Sequence, residues 1–243
     1  MNETERVWER IGAAGRGEVR RLAERWRCDP AAILAVIEVE SGGRVFAAVG
    51  GHREPLIRFE GHYFHARLEG EALRRAVADG LADPVPQAVA NPPVQVERWA
   101  MLACAERIDA RAARESCSWG LGQVMGAHWR RLGYPSVHAL VDEARRGADG
   151  QIALMARFVE DAGLEMALRG RDWERFARAY NGPRYAERGY HDKLAEAYRE
   201  AVALDLGDAE PEGYVASGAP RPPFGPAALA VAALQWFGGW LRR

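Results

Sequence analysis

The sequence predicts a mainly α-helical fold with one small β excursion and a short apolar helix at the C-terminus. Three observations support this prediction. Apolar residues recur at helical spacing through most of the chain between residues 18 and 204. One alternating segment, residues 56–60, follows a pair of glycines and indicates a short extended strand. Residues 226–243 are apolar and carry no charge before the two final arginines.

The composition is that of an ordinary soluble protein. The chain has 243 residues, of which 48% are hydrophobic and 28% charged. The formal net charge of -1 gives no overall field that would attract nucleic acid or an anionic membrane. The cysteines Cys28, Cys104 and Cys117 form neither a disulfide framework nor a CxxC metal pair. The N-terminal stretch MNETERVWERIG shows no secretory signal, so we expect synthesis in the cytoplasm.

Two helices open the predicted domain. Residues 18–27 are amphipathic, and the next helix runs from the N-cap Asp29 to the glycines Gly42 and Gly43. Such a pair could be a helix-turn-helix, whose second helix needs polar or basic side chains to read DNA. Here the second helix is AAILAVIEVE, which is apolar and acidic. We therefore expect no nucleic-acid partner.

Glu40 lies on the most apolar face of this second helix. At about 100° per residue, Ile33, Val36 and Ile37 share its side, whereas Glu38 points elsewhere. A carboxylate in such a position is costly unless it is paired or protonated, and burial raises its pKa. A raised pKa is what a general acid needs near neutral pH. The alternative is a glutamate at a fraying helix end that pairs with an arginine.

A second carboxylate follows on the predicted strand. Ile57 and Phe59 share one face, and Arg58 and Glu60 share the other. This places Glu60 on a small β excursion after the Glu40 helix. The alternative is a surface glutamate paired with Arg58.

Two histidines stand three residues apart just after this strand. His62 and His65 would need a third ligand to bind a metal, and no HExxH pattern occurs. We therefore predict structural or substrate-contacting histidines, no metal site and no cofactor.

The later part of the chain is mostly helical. Residues 67–93 show no clear period, and the sequence DPVPQAVANPP would break a helix. The glycines of SWGLGQVMG indicate a close approach of the backbone to another group, or alternatively a tight turn into a helix. Further helices are predicted over residues 94–109, 136–146, 149–161, 172–181 and 190–204.

Three segments together resemble a known family. AVIEVESGG at 35–43, SWGLGQVMG at 118–126 and FARAYNGPRY at 176–185 are similar to the motif order of goose-type lysozymes and soluble lytic transglycosylases. The closer resemblance is to the phage-type N-acetylmuramidase endolysin domain, which also shows an F-E-x-H-x-F element, here residues 59–64. The family usually has Arg after that Glu, where this chain has Gly61. The resemblance spans about residues 31 to 199.

The resemblance implies a lysozyme-like α+β domain that hydrolyses the β-1,4 bond between N-acetylmuramic acid and N-acetylglucosamine in peptidoglycan. It implies Glu40 as general acid and Glu60 as the second carboxylate, with Glu115 a weaker candidate. The expected substrate-binding residues are Ser118, Trp119 (an apolar face for a sugar ring), Gln123, Tyr180, Asn181 and His62. The expected partner is the glycan strand of peptidoglycan, bound by a monomer.

Two other functions remain open on the same residues. A lytic transglycosylase would use one acid for both steps and the muramic 6-hydroxyl in place of water, so it would tolerate loss of Glu60. A non-catalytic peptidoglycan-binding or virion module would keep the groove without the chemistry.

We expect four parts along the chain: an N-terminal lead (1–17), the catalytic domain (18–206), a Pro/Gly-rich linker (207–225) and an apolar helix (226–243). Trp236 and Trp240 beside Arg242 are typical of a membrane interface. The alternative is a helix docked on the domain. We expect the enzyme to reach the cell wall after release from the cytoplasm, with this helix contacting the membrane.

Overall fold

The computed structural model describes residues 3–182 and 185–204. The predicted linker and C-terminal helix, residues 207–243, lie outside this part of the chain. In chain order the helices are α1 (Glu3–Arg10), α2 (Gly12–Trp26), α3 (Pro30–Ser41), α4 (Gly61–His65), α5 (Gly70–Ala78), α6 (Gln95–Glu115), α7 (Val137–Arg146), α8 (Ala148–Asp161), α9 (Glu165–Gly170), α10 (Trp173–Asn181) and α11 (Tyr190–Val202). The strands are β1 (Phe46–Val49), β2 (His52–Pro55), β3 (Ile57–Phe59), β4 (Cys117–Trp119) and β5 (Val124–Met125).

The predicted mainly α-helical class with a small β part is confirmed. The β part is larger than the single excursion predicted. Strands β1 and β2 form an antiparallel hairpin, and β3, β4 and β5 form an antiparallel sheet in that order. Strand β4 lies in the middle, with Trp119 opposite Ile57 on one side and Val124 on the other. The predicted excursion corresponds to β3, and the other four strands have two to four residues, which is too short to show a period of two in the sequence.

Helix α3 is the centre of the first part of the core. Every residue from Ala31 to Ile37 is buried, and α1, α2, α9 and α11 pack around it. The predicted caps are present: Asp29 Oδ1 accepts a hydrogen bond from the Ala31 amide at 2.9 Å, and Gly42 ends the helix in the left-handed conformation. The preceding helix begins at Gly12, six residues earlier than predicted.

The buried apolar side chains form two clusters. The first surrounds α3 and includes parts of α2, α8, α10 and α11. The second joins the three-stranded sheet to α4, α6 and α7. Leu121 belongs to the first cluster and Trp119 to the second, so the glycine-rich segment between β4 and β5 connects the two.

Helix α6 contains a break at Asp109, which is the residue predicted to end this helix. Asp109 has extended backbone angles inside the helix, and its carboxylate accepts a hydrogen bond from the Ala112 amide at 2.8 Å. Asp109 therefore acts as an internal N-cap, and the polar step RAARES continues as helix. Among the helices of residues 3–182 and 185–204, none is both long enough and apolar enough to cross a membrane.

Candidate active site

Glu40 lies in the last turn of α3, where the helix leaves the apolar core. Its Oε1 atom accepts a hydrogen bond from Asn181 Nδ2 at 2.8 Å. Burial raises the pKa of Glu40 to about 7, although the Asn181 donor favours the charged form and opposes this rise. In the described part of the chain the partner of this carboxyl group is an amide and not an arginine, so the group is held without a neutralising cation.

The contrast with Glu38 shows what distinguishes Glu40. Helix α3 is buried on all sides over most of its length, so the apolar face that the sequence suggested does not by itself separate the two glutamates. Glu38 accepts a hydrogen bond from the fully buried Thr4 hydroxyl. Glu40 instead meets Asn181, which is distant in sequence and stands at the end of α10.

Tyr180 fixes the glycine-rich segment beside Glu40. Its hydroxyl donates a hydrogen bond to the Gly122 carbonyl at 2.6 Å, and its ring stacks on Phe176 with centroids 5.1 Å apart. Burial and the neighbouring charge of Glu40 raise the pKa of Tyr180 well above its ordinary value. A Cβ atom at Gly122 would lie 2.7 Å from Met155, so only glycine allows this close approach. Tyr180 therefore bonds the segment and not the acid.

Ser118 and Gln123 bond to each other within the same segment. The Ser118 hydroxyl donates to Gln123 Oε1 at 2.9 Å, and Gln123 Nε2 donates to the Gly120 carbonyl at 2.8 Å. Gln123 has a left-handed backbone, φ 47°, which is uncommon for a residue other than glycine. Such conformations are often found at functional sites, where surrounding contacts hold them in place.

Gln151 supports this segment and was missed by the sequence analysis. It is 1% exposed, accepts a hydrogen bond from the Leu121 amide at 2.9 Å, and donates to the carbonyls of Val45 and Ala144 at 2.9 and 3.0 Å. The signal in the sequence is a single glutamine within the otherwise apolar inner face of the helix predicted over 149–161. Such a residue is buried only when its polar atoms are all satisfied.

Glu60 follows β3 and is the N-cap residue of α4. Its carboxylate accepts a hydrogen bond from Arg58 Nε at 2.8 Å, and its backbone amide donates to the Ser116 carbonyl at 2.8 Å. The pairing of Glu60 with Arg58 that the sequence left open as an alternative is therefore present. It orients the carboxylate and leaves its second oxygen 3.7 Å from His62 Nδ1.

Tyr190 connects the two carboxylate regions and was also missed. Its pKa is raised by burial and by the negative charge of Glu40, and is lowered in part by Arg188 and Arg58. Glu40 and Arg58 thus lie within electrostatic range of one hydroxyl group, and Arg58 is the residue that pairs with Glu60. This tyrosine begins α11, and the sequence predicts only that it lies in a helix, with no role at the site.

Two sequence-predicted residues do not fit their expected roles. Trp119 is 1% exposed, and its Nε1 atom donates to the Arg114 carbonyl at 3.1 Å, so the indole has no free face for a sugar ring. It lies in the middle strand of the sheet. Glu115 bonds Arg111 at 2.9 Å and Trp129 at 2.8 Å; although burial opposes the effect, these bonds lower its pKa. Glu115 is therefore a structural carboxylate.

His62 lies beside Glu60 without a hydrogen bond. Its Nδ1 atom is buried and has no hydrogen-bond partner in the described chain, and burial lowers its pKa. Its ring centroid is 4.4 Å from that of Tyr63. Within residues 3–182 and 185–204, no group of three or more His, Cys, Asp or Glu side chains could hold a metal ion.

Comparisons with known proteins agree on one family. A family model described as N-acetylmuramidase matches residues 29–202. The crystal structure of the Burkholderia AP3 phage endolysin is similar to this chain, with a TM-score of 0.66 and 34% sequence identity. The alignment covers 78% of this chain and 71% of the endolysin chain. No curated protein sequence matches at a significant level.

Proposed function

This chain belongs to the N-acetylmuramidase family, and we propose that it cleaves the β-1,4 glycosidic bond between N-acetylmuramic acid and N-acetylglucosamine with Glu40 as its general acid. At the level of the family it is a peptidoglycan hydrolase. The proposal adds the bond that is cleaved and the residue that delivers the proton.

The observation that carries the proposal is the environment of Glu40. Glycoside cleavage needs a carboxylic acid that remains protonated near neutral pH and gives its proton to the leaving oxygen. A pKa of about 7 meets this requirement. Asn181 donates to Oε1, which stabilises the carboxylate that remains after the proton has left. The other oxygen, Oε2, is the one from which we expect the proton to be transferred.

Glu60 is the proposed second carboxylate. Its ion pair with Arg58 holds it in one orientation, and Arg58 lies within electrostatic range of Tyr190, as Glu40 does, which supports a position of Glu60 near the same substrate. There it would activate the attacking water or stabilise the oxocarbenium-like transition state. We also propose that Gln123 and Asn181 contact the sugar, since both are partly exposed at this site.

The Arg58 pairing also favours a second candidate. A carboxylate that is already bound by a guanidinium is less available to activate water. In a lytic transglycosylase, the muramic 6-hydroxyl attacks C1, the bond from C1 to the leaving oxygen breaks, and Glu40 protonates that oxygen. Glu40 then recovers the hydroxyl proton, and a 1,6-anhydro ring forms without Glu60.

Mass spectrometry of soluble products from purified peptidoglycan tests these alternatives. Wild type, Glu40→Gln and the control Glu69→Gln are compared; Glu69 is exposed and lies outside the site. Reducing-end muramic acid from wild type and the control, but not from Glu40→Gln, is the expected result. Anhydro-muramic ends would indicate the transglycosylase. Equal product from Glu40→Gln would refute the role of Glu40, and no product from folded wild type would leave a binding module.

We further propose that the enzyme is made in the cytoplasm and acts on the cell wall after release. The support is the similarity to a phage endolysin. We also propose that it acts as a monomer.

A further inference from the structure

A basic surface pocket begins immediately after the Glu40 helix. It has a volume of about 390 Å³ and is lined by residues 43–48, which include Arg44, and by Arg10 and Arg53. The other lining side chains given by the structure are apolar. We call it the arginine pocket.

Three separate elements bring these arginines together. Arg10 ends α1, and its Nη1 atom donates to the Gly42 carbonyl at 2.8 Å. Arg44 follows Gly43, where a Cβ atom would lie 2.8 Å from a methyl group of Val7, so the chain passes tightly over α1. Arg53 lies on β2 opposite Ala48, with its guanidinium 4.6 Å from the ring centroid of Phe46.

Glu54, the acidic residue next to Arg53 on this hairpin, faces away from the pocket. Strand residues alternate between faces, so Glu54 lies on the face opposite to Arg53. Glu54 is bound there by Arg145 through two hydrogen bonds of 2.8 and 3.1 Å. Arg44 is exposed and makes no side-chain hydrogen bond or ion pair with the described residues. The pocket is thus a local concentration of positive charge on a chain with net charge -1.

The positive field continues from the pocket towards the catalytic site. The pKa of Arg98 is lowered first by burial and then by the charges of Arg58 and Arg44. Arg58 is the residue that pairs with Glu60. Gly43 lines the pocket and is three residues from Glu40, so their Cα atoms are at most about 11 Å apart. The peptide stem of a muramic acid unit at Glu40 is long enough to span this separation.

We infer that the arginine pocket binds a carboxylate of the peptide stem that N-acetylmuramic acid carries. The inference rests on the proposed function, because that function places muramic acid beside Glu40. Guanidinium groups match carboxylates through two parallel hydrogen bonds, and three of them around one pocket favour an anion over a neutral sugar. The pocket therefore selects peptide-bearing glycan over bare glycan.

Co-sedimentation with peptidoglycan tests the inference. The full-length Glu40→Gln chain prevents digestion, and it is compared with the same chain that also carries Arg44→Gln and Arg53→Gln. The matched control adds Arg74→Gln instead, because Arg74 is an exposed arginine on α5. The ligands are stem-bearing peptidoglycan freed of phosphate polymers, the same material with those polymers retained, and glycan strands stripped of peptide by an amidase. The stripped strands keep a lactyl carboxylate on each muramic acid unit, so a loss confined to stem-bearing material assigns the pocket to a carboxylate of the peptide.

We expect the double substitution to weaken binding to phosphate-free, stem-bearing peptidoglycan about tenfold and to leave binding to stripped strands unchanged. The control substitution should change neither. The single Arg44→Gln variant should show a smaller loss of binding. It should keep the fold, because the Arg44 side chain makes no hydrogen bond or ion pair with the described residues. Equal losses on both glycans, no loss on either, no binding to either, or a loss only when phosphate polymers are present would overturn the inference. Release of reducing ends by wild type is measured separately, so failure of the proposed hydrolysis is distinguishable from failure of the pocket.

Discussion

At the scale of single residues, the chemistry depends on how one carboxyl group is surrounded. The sequence placed Glu40 at the end of an apolar helix, which is enough to predict a raised pKa. It could not identify the partner, because Asn181 comes from a helix 141 positions away in the chain. It also could not show that the hydroxyl of Tyr180, expected to bind substrate, donates to the Gly122 carbonyl. A backbone carbonyl is an acceptor that no sequence pattern reveals.

The raised pKa of Glu40 predicts how activity and stability depend on pH. The acid form is lost above about pH 7, so activity should fall about tenfold per pH unit there. Between the ordinary value of 4.5 and about 7, the folded protein holds a proton that the unfolded chain releases, so increasing pH lowers stability in this window. After allowance for partial exposure, the loss is about 1–2 kcal/mol.

Denaturant unfolding of wild type and Glu40→Gln at pH 4.5 and pH 8 measures this effect. The variant lacks the titration, so wild type should lose about 1–2 kcal/mol more than the variant between the two pH values. Glu69→Gln should behave as wild type. A pH dependence that is identical in wild type and Glu40→Gln would show that the carboxyl group is not perturbed. Activity of Glu40→Gln should be about 10²- to 10⁴-fold below wild type.

Asn181 is predicted to set the exact pKa of the acid. Its amide donor favours the charged form of Glu40, so Asn181→Ala should raise the pKa further. The basic limb of the pH–rate profile should move to higher pH, while activity at pH 6 falls about tenfold because the product carboxylate loses its donor. Asn181→Asp should move the limb further upwards through like-charge repulsion. An unchanged profile in Asn181→Ala would indicate that the amide has only a structural role.

At the scale of elements, strand β3, which precedes Glu60, is supported from the stretch of residues 67–93 that shows no clear period and from the first residue of α6. The amide of Gln95 bonds the backbone N–H and C=O of Ile57 at 2.9 and 3.2 Å. The amide of Asn91 bonds those of Phe59 at 2.9 and 2.6 Å. These two side chains replace a neighbouring strand along the free edge of β3. No sequence pattern predicts this arrangement, because the polar residues that cap the edge of a sheet resemble those of any loop.

The same stretch explains why residue 61 is glycine where the family usually has arginine. A Cβ atom at Gly61 would lie 2.3 Å from a methyl group of Val89 and 3.1 Å from the Leu81 carbonyl. The loop of residues 79–94 thus occupies the space that a side chain at residue 61 would take. The backbone that follows Glu60 is held by that contact.

This contact predicts a pair of coupled substitutions. Gly61→Ala should lower the free energy of unfolding by about 1–3 kcal/mol through overpacking. Val89→Gly removes the clashing side chain. In the Val89→Gly protein, Gly61→Ala should therefore lower the free energy of unfolding by less than half as much as it does in wild type. Thermal unfolding of the four proteins in this double-mutant cycle gives the coupling. Additive effects would contradict the contact between Gly61 and Val89.

At the scale of the whole molecule, the proposed site lies where two apolar clusters meet. Glu40 extends from the helical cluster around α3, and Glu60 follows the sheet of the second cluster. Helical periodicity predicted most helices, because the apolar residues that define a helix lie only three or four positions apart in the sequence. The pairing of β3 with β4 joins residues about sixty positions apart and could not be read from either segment. The burial of Trp119 follows from that pairing, which is why its predicted role in sugar binding was wrong.

The membrane prediction also belongs to this scale and concerns residues 226–243. The segment is apolar, carries two tryptophans near its end and finishes with two arginines, so its free energy of transfer favours the interface of an anionic bilayer. Flotation with vesicles containing anionic lipid should recover full-length protein in the lipid fraction but leave a form ending at Gly207 at the bottom. Full-length Trp236→Ser/Trp240→Ser should float several-fold less. Equal flotation of all three proteins would contradict the prediction and favour a helix docked on the catalytic domain. Wall recognition would then be confined to the Glu40 site and the arginine pocket.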